Sequence, residues 1–138
     1  AQNEAHRLSL HKGYNGCTIV DDTYNANPQS VAAAIDFLAQ HTSKTMLVLG
    51  DMGELGKNTA QMHTQIGLQA RGRVGELISI GALSKNASNA FSESSLHFES
   101  KQDLIRHLKQ YAEQDQIILI KGSRSMQLDE VVNELIEE

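Results

Sequence analysis

Four short, mainly apolar runs most restrict how this chain can fold. They occupy residues 18–20, 46–49, 77–80 and 117–120. The runs are continuous rather than alternating, and this pattern is typical of strands that are covered on both faces in a parallel sheet. Because such a sheet needs a layer of helices on each face, the segments between the runs are predicted to supply those helices.

Three later segments carry apolar residues at helical spacing. These positions are Val31, Ala34, Ile35, Leu38 and Ala39, then Leu104, Ile105, Leu108, Tyr111 and Ala112, and finally Leu128, Val131, Val132, Leu135 and Ile136. The last set follows i, i+3, i+4, i+7, i+8 and predicts the clearest helix. Asn27 before Pro28 is a typical helix start, and Asn58 with Gln61 resembles a capping box.

The alternation of strand and helix predicts an α/β fold with a Rossmann-like open, mostly parallel sheet and helices on both faces. The first twenty residues differ, because residues 7–10 alternate in polarity and residues 13–16 have turn composition. They predict an N-terminal antiparallel edge hairpin. Residues 81–98 predict a short helix followed by a strand at 96–98. Since no repeat or linker is evident, residues 1–138 are predicted to form a single domain.

Composition excludes several functional classes. The chain has 12 Lys+Arg against 17 Asp+Glu, a net charge of −5, and no basic cluster, so nucleic-acid binding is not expected. No apolar stretch approaches the roughly 18 residues that a membrane span requires. The single cysteine, Cys17, cannot form an internal disulfide, and we expect it to be a small core residue in a cytoplasmic protein.

Polar or glycine-bearing segments follow each of the four apolar runs, at residues 21–28, 50–56, 81–84 and 121–125. In open α/β sheets, ligands bind at the carboxyl ends of the strands. We therefore expect these four segments to lie together at one edge of the sheet and to contain the functional site.

The glycine-rich segment after the second run does not match a phosphate-binding loop. Five residues separate Gly50 from Gly56, no Lys-Ser/Thr pair follows, and Asp51 and Glu54 would repel a polyphosphate. A structural turn from strand to helix is predicted, with its acids solvated or facing a cation. His63, on the helix that follows, is predicted to be solvated or to act as a cap.

The segment after the first run is richer in chemistry. A turn explains Asn27 as a helix cap and Asp21 or Asp22 as an acceptor for backbone amides. It does not explain Tyr24 and Asn25. A flat ring and a carboxamide suit a purine, and an acid suits ribose hydroxyls, so nucleotide contact and a simple turn both remain open here.

The segment after the fourth run combines Lys121, Gly122, Ser123 and Arg124 ahead of the clearest helix. Two cations, a glycine and a hydroxyl at a helix N-terminus would make a local anion site. The alternative is a glycine turn in which Ser123 or Ser125 caps the helix and both cations are solvated.

Three segments together resemble a known family: residues 21–30 (DDTYNANPQS), 48–56 (VLGDMGELG) and 121–124 (KGSR). In order and spacing they are similar to the C-terminal domain of the Mur ligases that add D-alanyl-D-alanine to UDP-N-acetylmuramoyl-tripeptide. The resemblance covers essentially the whole chain. Arg7 also fits, because it precedes Asp22 by fifteen residues, as an arginine does in this family.

The resemblance implies the last part of a three-domain ligase of peptidoglycan precursor synthesis. In this family an N-terminal domain holds the UDP-sugar, a central domain holds the P-loop and the Mg²⁺ ligands, and a Rossmann-like C-terminal domain closes over ATP. ATP phosphorylates the tripeptide carboxylate, and the dipeptide amine attacks the acyl phosphate. This sequence shows no P-loop and no magnesium ligands, and it starts without methionine, as a fragment would. By itself it is expected to be inactive.

The resemblance also assigns site residues. The implied ATP contacts are Arg7, Asp22, Tyr24, Asn25 and Asn27. The implied contacts to the incoming dipeptide are Lys121, Gly122, Ser123 and Arg124. No catalytic residue and no metal ligand is implied within this chain. A stand-alone nucleotide or small-molecule binding module of flavodoxin-like shape remains the alternative, and an interaction domain would need an exposed apolar patch that the sequence does not reveal.

Overall fold

Strands and helices alternate along the chain in the computed structural model, which describes residues 5–53 and 56–136. The strands are β1 (Ser9–Lys12), β2 (Thr18–Asp21), β3 (Thr45–Gly50), β4 (Glu76–Ile80), β5 (His97–Phe98) and β6 (Ile117–Lys121). The helices are α1 (Pro28–Ala39), α2 (Thr59–Ala70), α3 (Lys85–Phe91), α4 (Lys101–Tyr111) and α5 (Asp129–Leu135). All four apolar runs are strands, as predicted.

The strands form one open sheet in the order β1-β2-β6-β3-β4-β5. Strand β1 pairs antiparallel with β2, and every other pair is parallel. The mostly parallel sheet and the N-terminal edge hairpin are therefore confirmed. Because β6 lies between β2 and β3, the last strand of the chain brings residues from the far end of the sequence beside the segment that follows β2.

Each face of the sheet carries its own apolar core. Ile118 and Ile120 of β6 pack with α4 and α5 on one face, while Leu119 packs with α1 and α2 on the other. Neighbouring residues of a strand point to opposite faces, so a strand that is covered on both sides must be continuously apolar. Cys17 is buried in the first of these cores, as predicted.

The predicted helix starts have different outcomes. Asn27 caps α1 as expected, since its Oδ1 accepts from the Ser30 backbone N–H at 2.8 Å. The prediction of a capping box at Asn58 was wrong, because the Asn58 side chain makes no capping hydrogen bond. Instead, the Thr59 hydroxyl donates to the Gly56 carbonyl at 2.6 Å, so Thr59 supplies the side-chain hydrogen bond in the turn before α2.

The helices are short, with 7 to 12 residues each. Helix α5 ends at Leu135, one residue before the end of its predicted apolar stripe. Ile136 is extended and forms an isolated antiparallel bridge with Gly13, so pairing with another part of the chain replaces the last helical residue. Within the described residues, none of the helices has the length and apolar character needed to cross a bilayer.

Candidate functional site

A cavity of about 300 Å³ lies where the carboxyl ends of β2 and β6 meet the start of α1. Its volume is at the lower end of the roughly 300–1,000 Å³ typical of small-molecule sites. Six predicted site residues line it: Arg7, Asp22, Tyr24, Asn25, Asn27 and Lys121. The structure thus brings together all five residues assigned to ATP and adds one that was assigned to the dipeptide.

A stacked pair of side chains, Arg7 and Tyr24, forms one side of the cavity. The Arg7 Cζ atom lies 3.9 Å from the centroid of the Tyr24 ring, which is within cation–π distance. The Tyr24 backbone N–H donates to the His6 carbonyl at 2.9 Å and ties the β2–α1 turn to the segment before β1. Tyr24 is 46% exposed, so part of the residue stays open to a ligand beside the stacked Arg7.

A buried ion pair, Asp22 with Lys121, forms the floor of the site. The Lys121 ammonium donates to Asp22 Oδ2 at 3.0 Å and to the Asn25 carbonyl at 2.9 Å. The Leu8 backbone N–H donates to Asp22 Oδ1 at 3.3 Å. The side chains of Lys121 and Asp22 are only 4% and 10% exposed, so removing either partner would leave the other charge buried and unpaired.

The neighbouring carboxylate, Asp21, has a different environment. Its Oδ1 accepts from the Thr23 backbone N–H at 3.2 Å and from the Thr23 hydroxyl at 2.6 Å. Its Oδ2 lies 2.7 Å from His6 Nδ1. The turn role that the sequence allowed for either aspartate therefore belongs to Asp21, and Asp22 is the one that lines the cavity.

Gly122 owes its identity to packing at the ends of two adjacent strands. A Cβ atom at this position would lie 2.7 Å from Leu128 Cδ1 and 3.2 Å from the Gly50 Cα. A Cβ at Gly50 would meet the same leucine atom at 2.7 Å. The two glycines let the ends of β3 and β6 approach each other beneath Leu128, so the turn after β6 is shaped by close packing.

Ser123 does not cap α5, contrary to one of the two readings of this segment. A 3-10 turn at Arg124–Met126 comes first, and the residue that precedes α5 is Leu128. The Ser123 hydroxyl lies 3.1 Å from the hydroxyl of Ser125, and the Ser123 backbone N–H donates to the Asp51 carbonyl at 2.9 Å. The predicted anion site at the N-terminus of this helix is therefore not formed by these residues.

Arg124 is separated from the cavity residues and lies on the surface. Its side chain is 50% exposed, and its Nη1 is 3.4 Å from Asp129 Oδ1, a long ion pair. The guanidinium thus stays accessible to a carboxylate ligand at the ligand-binding edge of the sheet. Residues 121–124, which were predicted as one group, divide into a buried cation and an exposed one.

Asp51, in the glycine-rich segment, is partly buried, and its carboxylate accepts hydrogen bonds from the backbone. Its Oδ1 accepts from the backbone N–H groups of Leu83 and Ser84, at 3.1 and 2.7 Å. The carboxylate therefore fixes the turn between β4 and α3, and the structural interpretation of this segment is correct. Glu54, the second acid of the segment, lies outside the described residues.

His63 is fully buried, so of the two roles predicted for it, solvated or capping, the solvated one was wrong. Its Nε2 accepts from the Met52 backbone N–H at 2.9 Å, and its Nδ1 lies 2.7 Å from the Thr59 carbonyl. Because a carbonyl oxygen can only accept a hydrogen bond, Nδ1 carries the proton. Nε2 is unprotonated and therefore accepts from Met52. His63 thus joins α2 to the turn after β3, a contact between separate elements that helical spacing alone did not reveal.

A serine–histidine network away from the cavity was missed by the sequence analysis. The Ser79 hydroxyl lies 2.6 Å from His97 Nδ1 and 2.7 Å from the Ser88 hydroxyl. Both serines are fully buried. Burial lowers the pKa of His97, with Glu99 opposing the shift. Burial likewise lowers the pKa of His107 on α4.

The side chains around the cavity suit a nucleotide-like ligand. A planar base could stack on Tyr24, hydroxyl groups could bond to Asp22, and the Arg7 cation favours an anionic ligand. Among residues 5–53 and 56–136, no group of three or more His, Cys, Asp or Glu side chains could hold a metal ion. The stacking ring, the carboxylate and the cation around the cavity together fit a nucleotide.

Comparison with known proteins gives a consistent result. The sequence profile of the "Mur ligase, glutamate ligase domain" family matches residues 6–124. The chain is 37% identical over 143 residues to the UDP-N-acetylmuramoyl-tripeptide–D-alanyl-D-alanine ligase of Bacillus subtilis, covering 95% of this chain and 30% of that protein. The chain thus spans less than a third of the length of this relative.

Two solved structures have the same fold. A crystal structure of MurF from Acinetobacter baumannii aligns with a TM-score of 0.83 and 27% identity, over 100% of this chain and 32% of that one. The MurF ligase from Thermotoga maritima, in complex with ADP, aligns with a TM-score of 0.81 and 23% identity, over 97% of this chain and 31% of that one.

Proposed function

Because the chain belongs to the Mur ligase family, whose glutamate ligase domain it matches, we propose that it is the C-terminal, third domain of an ATP-dependent ligase. The ligase joins D-alanyl-D-alanine to UDP-N-acetylmuramoyl-tripeptide in peptidoglycan precursor synthesis. The curated relative from Bacillus subtilis carries this name, and the match covers 95% of this chain and 30% of that relative. The protein would work in the bacterial cytoplasm together with its N-terminal and central domains.

The convergence of Arg7, Asp22, Tyr24, Asn25 and Asn27 on one cavity carries this proposal. These residues come from the segment before β1 and from the β2–α1 turn, yet they surround a single space. In the proposed enzyme the space receives the adenosine part of ATP: the ring stacks on Tyr24 and a ribose hydroxyl bonds to Asp22. The T. maritima structure of the same fold, which contains ADP, supports this choice of ligand.

The turn after β6 would serve the second substrate. Gly122 and Ser123 shape the turn, and Arg124 has the exposed guanidinium that a dipeptide carboxylate needs. ATP would supply the phosphoryl group that activates the tripeptide carboxylate, and Mg²⁺ would be held by the other domains. The role of this chain is to bind and orient the two small substrates and to exclude water when it closes over them.

The whole enzyme and the isolated chain provide the test of this function. The full-length protein is expected to hydrolyse ATP only when both the tripeptide and D-alanyl-D-alanine are present, and to form the amide product. The purified 138-residue chain is expected to fold but to show no ATP hydrolysis. Phosphate release and mass spectrometry of the product measure both. Turnover by the isolated chain, or tight nucleotide binding by it alone, would instead favour a stand-alone binding module.

Substituting Arg124 with lysine in the full-length enzyme is expected to raise KM for D-alanyl-D-alanine roughly five- to thirtyfold and to leave KM for ATP unchanged. A guanidinium holds a carboxylate with two hydrogen bonds and an ammonium does not, so about 1–2 kcal/mol of binding is lost. Arg106→Lys, at another ion-paired surface arginine, is the matched control. Equal changes in both KM values would indicate domain closure instead, and no change would indicate a merely solvated cation.

A further inference from the structure

Lys121 ends a strand that is otherwise wholly apolar, and its ammonium is buried beneath the cavity. An apolar side chain would pack at such a position without cost, whereas a buried ammonium must be desolvated. A buried ion pair is weak evidence for stability, because well-packed apolar residues often do as well. The presence of the charge therefore calls for an explanation other than folding.

The contacts of the ammonium supply that explanation. It bonds to Asp22, which follows β2, and to the backbone carbonyl of Asn25, three residues further along the β2–α1 turn. One side chain from β6 thereby holds both an acidic group and the backbone of the turn that surrounds the cavity. Among the ion pairs of the described residues, Asp22 is the only acid that Lys121 contacts.

The position of Arg124 points the same way. Arg124 follows Lys121 by only three positions, but its side chain is half exposed and pairs with Asp129 of α5. Lys121 instead lies in the floor of the cavity. A dipeptide carboxylate that reached Arg124 on the surface would find Lys121 covered by its bonds to the β2–α1 turn. The two cations of this segment thus have separate surroundings.

We propose that Lys121 is a positioning residue of the nucleotide cavity, which acts by holding the Asp22 carboxylate in its binding geometry, while its bond to the Asn25 carbonyl keeps the ammonium in place. It does not contact the dipeptide. This inference rests on the proposed function for the identity of the nucleotide, but the contacts that carry it are those of Lys121, Asp22 and Asn25. It replaces the assignment of Lys121 to the dipeptide that the sequence motif suggested.

The test uses the full-length protein and measures nucleotide binding by calorimetric titration with a non-hydrolysable ATP analogue. Lys121→Met is expected to weaken binding about tenfold, the effect of losing one charge-assisted hydrogen bond. KM for D-alanyl-D-alanine should stay within about twofold of the wild type. Lys101→Met, which removes a lysine paired with Glu130 on another face, is the matched control and should change neither value.

Two further variants separate positioning from simple loss of structure. In Lys121→Met/Asp22→Asn both charges are removed together, so no buried charge is left unpaired. If Lys121 acts through Asp22, this double variant binds the analogue no more weakly than Asp22→Asn alone. Lys121→Arg keeps the charge and is expected to bind the analogue more tightly than Lys121→Met. If Lys121→Met does not fold, the double variant and Lys121→Arg still show whether Lys121 positions Asp22.

Additive losses in the double variant would overturn the proposal, because Lys121 would then act independently of Asp22. A selective rise in KM for the dipeptide in Lys121→Met would overturn it as well and would restore the dipeptide assignment. A wild-type protein that binds the analogue but does not ligate the dipeptide would contradict the proposed function. The comparison of analogue affinities among the Lys121 variants would still decide the present inference.

Discussion

Replacing Asp22 with alanine in the full-length ligase is expected to lower kcat/KM for ATP about a hundredfold and to destabilise the domain by about 3–5 kcal/mol. The kinetic loss follows from the proposed function, because the carboxylate lines the cavity assigned to ATP, where a charged hydrogen bond to a hydroxyl group contributes about 1.5–3 kcal/mol. The loss of stability follows because the Lys121 ammonium would stay buried without its partner. Steady-state kinetics and urea unfolding measure the two effects.

The adjacent aspartate offers a matched control for this prediction. Asp21→Asn alters another buried carboxylate, which bonds to Thr23 and His6 and does not line the cavity. It should reduce the free energy of unfolding and leave kcat/KM for ATP, per folded molecule, nearly unchanged. If Asp21→Asn and Asp22→Ala reduce ATP use equally, the effect of Asp22 is one of turn structure and not of nucleotide contact.

Replacing Gly67 with alanine is expected to lower the melting temperature of the chain by about 8 °C. A Cβ at this position would lie 2.1 Å from the Ala87 carbonyl oxygen and 2.9 Å from the Ala90 Cβ, because α2 packs directly on α3. Backbone atoms cannot rotate away, so the cost lies at the upper end of the roughly 1–3 kcal/mol typical of overpacking. The better helix propensity of alanine returns about 1 kcal/mol, which leaves a net loss of about 2 kcal/mol.

The control for Gly67→Ala is Gln69→Ala, an exposed substitution on the same helix. It tests helix propensity without a steric conflict and should change the melting temperature by less than about 2 °C. Thermal unfolding followed by circular dichroism measures both variants. An unchanged melting temperature in Gly67→Ala would mean that α2 and α3 separate at little cost, contrary to the close packing described.

The sequence by itself determined the architecture. Side chains on both faces of an apolar strand are buried only when the sheet is covered on both sides. This applies to the apolar runs 18–20, 46–49, 77–80 and 117–120, and each of them is a strand with parallel neighbours. Asn27 before Pro28 marked the start of α1 because both residues act through local backbone geometry. The cluster of unusual side chains after the first run indicated a cavity edge, because parallel strands end on the same side of the sheet.

Only the tertiary structure decided which of these side chains work together. Spacing along the chain could not distinguish Asp21 from Asp22, nor reveal that Lys121, ninety-nine residues later, bonds to one of them. The same limit applied to His63, whose burial depends on the turn after β3. Local patterns report the neighbours of a residue in sequence, whereas burial, ion pairing and close backbone contact depend on elements that meet only when the sheet order places β6 between β2 and β3.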